Sequence, residues 1–200
     1  MNRSRFLLPA LLAVTLTLGA CSKSSETGST SSPAASADPG KRAPTVEIVA
    51  SEGKGFTVGS MMSTTTVYVF FDPQCPHCGH LWNAAVPLQK KVKFVWLPVG
   101  LINPTSSAQG ATLLSAADPA QAMTEHEKSL LAGSGGIGGG SGVTDEARQS
   151  VASNTKLFNN LGLEGVPFTI VKNARTGQMA TRGGSMETPA LAQLIGIDAP

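Results

Sequence analysis

Two hundred residues, 41% of them hydrophobic, suffice for one domain with a proper core and only marginally for two. A net charge of +2 with no basic block excludes a nucleic-acid-binding surface on electrostatic grounds. Three cysteines, Cys21, Cys75 and Cys78, are too few for a disulfide framework, so the close pair points to chemistry rather than scaffolding.

Arg3 and Arg5 precede an apolar run from Phe6 to Leu18 that closes on Leu18-Gly19-Ala20-Cys21. The run is short for a bilayer span, which needs ~20 residues, but fits a signal-peptide core. Its closing tetrapeptide resembles the bacterial lipobox, which implies a signal peptide over 1–20 and Cys21 as the lipid-bearing new N-terminus. The other reading is an ordinary signal peptide cut nearby, against which the bulky Leu18 counts. Ser4 between the arginines excludes a twin-arginine signal. Both readings export the chain to a compartment where disulfides persist. Ser22 follows Cys21 where an aspartate is linked with inner-membrane retention in some bacteria, so the outer membrane is preferred. Ser22 to Pro44 holds seven serines and no aromatic or large aliphatic residue. Such a stretch cannot bury enough to offset chain entropy, and residues 21–44 are expected to form a disordered tether with an average span of about 25 Å. The ordered domain is expected over 45–200.

In that domain, Val46–Val49 and Phe56–Val58 flank a Gly-containing break and read as a hairpin. Val67–Phe71 is a continuous apolar run, the mark of a strand buried on both faces of an α/β sheet. After a short turn through Asp72, Cys75 stands at a helix start with Pro76 at its first position. Unpaired N–H groups and the helix dipole at that end stabilise a thiolate, so the Cys75-Pro76-His77-Cys78 stretch reads as a disulfide-exchange site. The helix runs on through Leu81, Trp82, Ala85 and Leu88, with Pro87 set to kink it or end it early. Val92–Leu97 is the next strand, and a strand-helix-strand unit of this length demands a parallel crossover.

Helical segments follow, with Ser106 or Ser107 as one cap and Asp118 before Pro119 as another. Gly133–Gly142 is almost wholly Gly and Ser and reads as a flexible surface loop; no strand precedes it and no Lys-Ser/Thr pair follows, so it is no phosphate loop. Thr144 caps a further helix that ends at Gly162. Phe168–Val171 and Gln178–Thr181 form a hairpin after Val166-Pro167, and Thr188-Pro189 caps a last helix. The fold class is therefore α/β, a mixed sheet flanked by helices, with Cys75 at the carboxyl edge of a central strand, where ligands and chemistry collect.

Thiol–disulfide exchange needs a thiolate attacker, and His77 beside Cys75 should lower its pKa further. Pro76 and His77 thus tune direction, toward oxidation. A zinc site on Cys75 and Cys78 with His77 or His80 is the competing reading, but no second spaced ligand pair accompanies it, so no metal is expected. Asp72 either relays the Cys78 proton or caps the turn. His80 reads as a solvated helix residue, and His126, among Glu125, Glu127 and Lys128, as part of a surface helix.

This pattern resembles the thioredoxin fold and, more narrowly, the DsbC/DsbG family of bacterial thiol:disulfide interchange proteins, DsbG above all. The resemblance is carried by Val67 to Cys78, Trp82, Pro87, the stretch Leu97-Pro98-Val99-Gly100-Leu101-Ile102-Asn103-Pro104, the helical insertion between the second core strand and Val166-Pro167, and that step itself. It implies Cys75 as the exposed attacking and leaving sulfur, Cys78 as the buried resolving one, and a cis Pro167 whose backbone, with Val166, receives an extended substrate strand. His77 stands where DsbG has tyrosine, and Val166 where DsbC and DsbG have threonine; both are the choices of the DsbA oxidases. The acid that thioredoxins and DsbA bury six residues before the first cysteine is Val69 here. The family's N-terminal dimerisation domain has no counterpart, the tether taking its place, so a monomer is expected.

The expected function is a periplasmic, lipid-anchored thiol:disulfide oxidoreductase, an oxidase or a DsbG-like reductase/isomerase. It needs no cofactor beyond the Cys75–Cys78 pair. Its implied partners are cysteine-containing exported proteins, a DsbB-like or DsbD-like membrane redox protein, and the bilayer through Cys21. A tethered peptide-binding chaperone and, further off, a zinc-binding module are the alternatives.

Overall fold

The computed structural model describes residues 42–140 and 142–200; the expected signal peptide, Cys21 and the tether as far as Lys41 lie outside the described residues. Contacts with the domain begin at Arg42, whose N–H donates to Asn160 O (3.2 Å) and whose guanidinium grips both carboxylate oxygens of Glu52 (2.6 and 2.9 Å). Among the described residues no helix is long and apolar enough to cross a membrane.

Five strands form one mixed sheet in the order β1-β3-β2-β4-β5: β1 (Phe56–Gly59), β2 (Thr66–Phe71), β3 (Lys93–Pro98), β4 (Phe168–Lys172) and β5 (Met179–Gly183). β2 is central, parallel to β3 with Val67 opposite Phe94, and antiparallel to β4 with Val69 opposite Thr169. β1 on β3 and β5 on β4 are antiparallel. The helices are α1 (Val46–Glu52), α2 (Pro76–Ala85), α3 (Pro104–Ser115), α4 (Pro119–Leu131), α5 (Asp145–Asn160) and α6 (Thr188–Ile195), and α3 to α5 make up the insertion between β3 and β4. The expected α/β architecture, a mixed sheet flanked by helices with that insertion, is what the chain forms.

Alternation along β2 explains its unbroken apolar run. Val67, Val69 and Phe71 face one core with Leu81 and Trp82 of α2, Trp96, Met123 of α4 and Leu191 and Ile195 of α6. Phe70 faces the other, with Val49 of α1, Leu97, Leu157 and Phe158 of α5, and Ile170. Val67, Val69, Phe70 and Phe71 are thus covered, and only Thr66 and Tyr68 toward the start of the strand keep part of their surface in solvent. Trp82 meets Trp96 edge to face at 5.1 Å and Phe71 meets Trp96 at 5.7 Å, which locks α2 onto the strand that carries the site. α2 ends at Ala85 and a 3₁₀ turn follows over Val86–Leu88, the early end that Pro87 dictates.

Four local expectations are corrected. Val46–Val49 is helical, because Thr45 Oγ1 accepts from Ile48 N (3.3 Å) and the short apolar run puts Val49 into the second core; a run this short reads equally as strand or helix. β1 therefore pairs with β3 rather than with a preceding strand. Asn103, not Ser106 or Ser107, caps α3: its Oδ1 accepts from Thr105 and Ser106 N–H, while Ser106 Oγ accepts from Asn103 N–H. Thr188 is the first residue of α6 rather than its cap, and its hydroxyl donates to Ala84 O (2.8 Å), tying α6 to the end of α2.

The fourth concerns Gly133–Gly142, whose described part, 133–140, is tied down rather than free. Gln109 Nε2 donates to the carbonyls of Gly135 (2.7 Å) and Ile137 (2.6 Å), and Gly140 N–H donates to Thr112 Oγ1 (3.0 Å). Gly136 adopts φ +83 against the ring of His126, where a Cβ would overlap the imidazole. Its glycines serve close approach and left-handed backbone here.

Candidate active site

β2 ends at Phe71 and the chain turns at once, so Asp72 lies under the turn with no exposure. Its Oδ1 accepts from Gln74 N–H (2.8 Å), and its Oδ2 accepts from Leu101 N–H (2.7 Å) and Ile102 N–H (3.0 Å). One carboxylate thus ties the Cys75 turn to the loop after β3. Of the two roles weighed for Asp72, this geometry favours holding the turn.

Cys75 is the N-cap of α2, with Pro76 next, and its carbonyl accepts from Cys78 N–H (2.9 Å). Its thiol is pulled down to about 6: first by the Cys78 side chain as donor, then by the N–H groups of Cys78 and His77 and the nearby His77 charge, against opposing burial. Cys78 moves the other way, well above its ordinary value, because it is buried and because Cys75 competes for the same proton. The two sulfurs three residues apart are chemically unlike, one at a helix end and one in the core.

Cys75 is only 6% exposed, against 0% for Cys78, which corrects the expectation of an openly exposed attacking sulfur. The cover comes from the Val166-Pro167 step, a cis peptide bond, which crosses the site from before β4. Cys75 Sγ donates to Val166 O at 3.5 Å. Pro76 and His77 flank the sulfur on the exposed side, and His80 is exposed one turn on, its ring 6.4 Å from that of His77. Among the described residues no three His, Cys, Asp or Glu side chains gather as metal ligands.

Several polar residues that serve the site were given no part in it by the sequence. Gln74 Nε2 donates to Gln109 Oε1 (2.6 Å) and Gly135 O (2.9 Å), and its Oε1 accepts from Asn103 Nδ2 (3.2 Å). His126 is fully buried, correcting its placement on a surface helix. Its Nδ1 accepts from Ile137 N–H (3.1 Å), which leaves the proton on Nε2 to bond Pro73 O (2.7 Å). Glu127 is likewise buried, 1% exposed, with its carboxyl against Gly79 of α2. It is held in its neutral form up to about 9, by burial first and by the Cys75 charge second. The signal for both was helical periodicity: from the apolar Met123, the steps of three and four fall on positions 126 and 127.

No family model matches the chain. It is 31% identical over 132 residues to the thiol:disulfide interchange protein DsbG of Pseudomonas aeruginosa, a match that covers 65% of this chain and 50% of that protein. It is 34% identical over 111 residues to the DsbG of Escherichia coli, covering 54% and 44%. The chain spans about half the length of the curated relatives it matches. Among solved structures it is similar to a disulfide interchange protein from Neisseria gonorrhoeae, with a TM-score of 0.55 and 24% identity over 71% of this chain and 93% of that one. At that identity the likeness speaks for the fold, which is thioredoxin-like.

Proposed function

We infer, for a chain that is DsbC/DsbG-like over its thioredoxin-like domain, that it is an exported thiol:disulfide oxidoreductase exchanging its Cys75–Cys78 pair with cysteines of extracytoplasmic proteins. One observation carries the reading: Cys75 N-caps α2 with its sulfur against Val166 O while Cys78 is fully buried behind it, an arrangement that displaces the first toward thiolate and the second toward thiol. A thiolate that is available near neutral pH attacks a disulfide, and the sulfur of lower pKa leaves more readily from a mixed one. Cys75 fills both roles, and Cys78 resolves the mixed disulfide from behind.

Val166 and Pro167 supply the backbone against which an extended substrate strand lies, because they already cross the sulfur at hydrogen-bond range. Pro76 and His77 tune the poise from the open side, and Asp72 holds the turn. Exchange runs toward substrate oxidation or reduction according to which membrane partner, DsbB-like or DsbD-like, resets the pair. Arg3 to Cys21 supports export and lipid anchoring at the periplasmic side, the outer membrane preferred, with the serine-rich segment as tether.

The test uses the purified full chain with a disulfide-containing peptide, followed by separation of the mixed disulfide. Wild type forms it and resolves it, while Cys75→Ser forms none. Equal turnover by Cys75→Ser would overturn the reading and leave a peptide-binding chaperone in its place.

A further inference from the structure

Glu127 is the buried titratable group that the mechanism above leaves unused. Both its carboxyl oxygens are buried without a hydrogen-bond partner among the described residues. A carboxyl in that condition is costly, and such groups persist where they hold or pass a proton. Its place is built from two elements. α4 lays it across Gly79, the residue after Cys78, and a Cβ at position 79 would come within 2.5 Å of Glu127 Oε2. Leu131 of the same helix closes over Gly79 beside it. Next to Gly79 on α2 is Cys78; neither it nor Cys75 forms a hydrogen bond with the carboxyl, but both feel its field: Cys75 opposes its charge, and it opposes that of Cys78. On its own helix, Glu125 and Lys128 are exposed and His126 is engaged with Pro73 and Ile137. Asp72, the other buried acid, has both oxygens filled by backbone N–H groups.

We propose that Glu127 is the proton-exchanging partner of Cys78, an acid delivered by the helical insertion rather than by the strand before the cysteines. The inference rests on the chain being a thiol:disulfide oxidoreductase. When a substrate thiolate attacks Cys75 Sγ, the Cys75–Cys78 bond breaks and its electron pair leaves on the Cys78 sulfur. That sulfur takes the Glu127 proton by way of a water between them, since no direct hydrogen bond joins the two groups, giving a mixed disulfide, a neutral Cys78 thiol and a carboxylate. In the reverse step the carboxylate takes the Cys78 proton, the thiolate attacks Cys75 Sγ, and the substrate sulfur leaves with the electron pair. Timing follows from charge. A Cys75 thiolate opposes the Glu127 carboxylate, but in the mixed disulfide Cys75 is uncharged, so the carboxylate is easiest to form at the step that needs a base.

The test is rapid mixing of the reduced full chain, carrying Cys21→Ser so that only the pair reacts, with an aromatic disulfide whose thiol is coloured. One coloured thiol is released as Cys75 attacks and a second as Cys78 resolves. With Glu127→Gln the first phase keeps its rate, while the second slows on the order of a hundredfold near neutral pH and regains speed as pH rises toward the titration of Cys78. Glu127→Met, apolar and of similar reach, behaves alike and covers the case that the amide variant folds poorly. A second phase with wild-type rate and pH profile in both variants would overturn the proposal, as would equal slowing of both phases, the mark of a merely structural residue. Absence of the first phase in wild type would instead overturn the oxidoreductase reading beneath it.

Discussion

Cys75 Sγ and the carbonyl oxygen of Val166 meet at 3.5 Å although ninety-one positions separate them in the chain. The bond needs the thiol form, whereas the Cys78 side chain as donor and, after it, the N–H groups of Cys78 and His77 favour the thiolate. The sulfur is thus held between a loop that keeps its proton and a helix end that removes it. With the group depressed to about 6, the Cys78 side chain as donor and then the helix-end N–H groups prevail near neutral pH.

For the reduced protein, this depression sets a stability window. The folded state binds fewer protons than the unfolded chain between about 6 and the ordinary thiol value of 9. The contribution is therefore complete above 9 and is lost as pH falls through about 6, at about 1.4 kcal/mol per pH unit. Urea unfolding of the reduced wild type against Cys75→Ser across that range checks it, and a constant difference contradicts it. In the same window, alkylation by a small reagent modifies Cys75 and spares Cys78 until the protein is unfolded.

Glu127 has the opposite sign. Burial, and after it the Cys75 charge, pushes its carboxyl up to about 9 from the ordinary 4.5. Stability is therefore greatest below 4.5 and declines as pH rises toward 9. Glu127→Gln lacks the titration, so it gains on wild type over that interval, and denaturant midpoints measured at several pH values give the slope. A gap that narrows with rising pH contradicts the assignment.

Asp72→Ala leaves three backbone N–H groups, of Gln74, Leu101 and Ile102, without an acceptor. At about 1–3 kcal/mol for each buried orphan, the loss is at least about 3 kcal/mol. Asp72→Asn is milder, since one oxygen still accepts. Unfolding midpoints rank the two, and amide hydrogen exchange at Leu101 and Ile102 rises in Asp72→Ala first.

His126 couples the glycine segment to the cysteine turn through Ile137 N–H on one nitrogen and Pro73 O on the other. Burial holds it neutral, with its pKa lowered below the ordinary histidine value. The stability it lends is complete above that ordinary value and is lost as pH falls through the lowered one. Limited proteolysis at residues 133–140 should therefore increase on acidification. His126→Ala shows the same cutting already at neutral pH.

Periodicity carried most of the fold, because burial imposes it. The double-faced run Val67–Phe71 could only be a central strand, and Pro76 and Pro87 bracket α2 by what proline does to a helix. Val46–Val49 misled because its few apolar positions satisfy either period, and contact with Phe70, Leu157 and Ile170 decided for a helix. At the site, Cys75, Cys78 and the Val166-Pro167 step stood out through residue type and spacing. Their meeting across ninety-one positions, and the thin exposure of Cys75, did not.

The sequence by itself determined a cysteine pair at a helix start behind a buried strand, because strand, turn and helix end are local chemistry. Only the tertiary structure decided what surrounds the sulfurs. Gln109, His126 and Glu127 look like surface residues, yet packing α4 on α2 and folding 133–140 against α3 and α4 carries them inside. Burial of a polar side chain follows from which helix faces meet, and residues fifty positions from Cys75 set that.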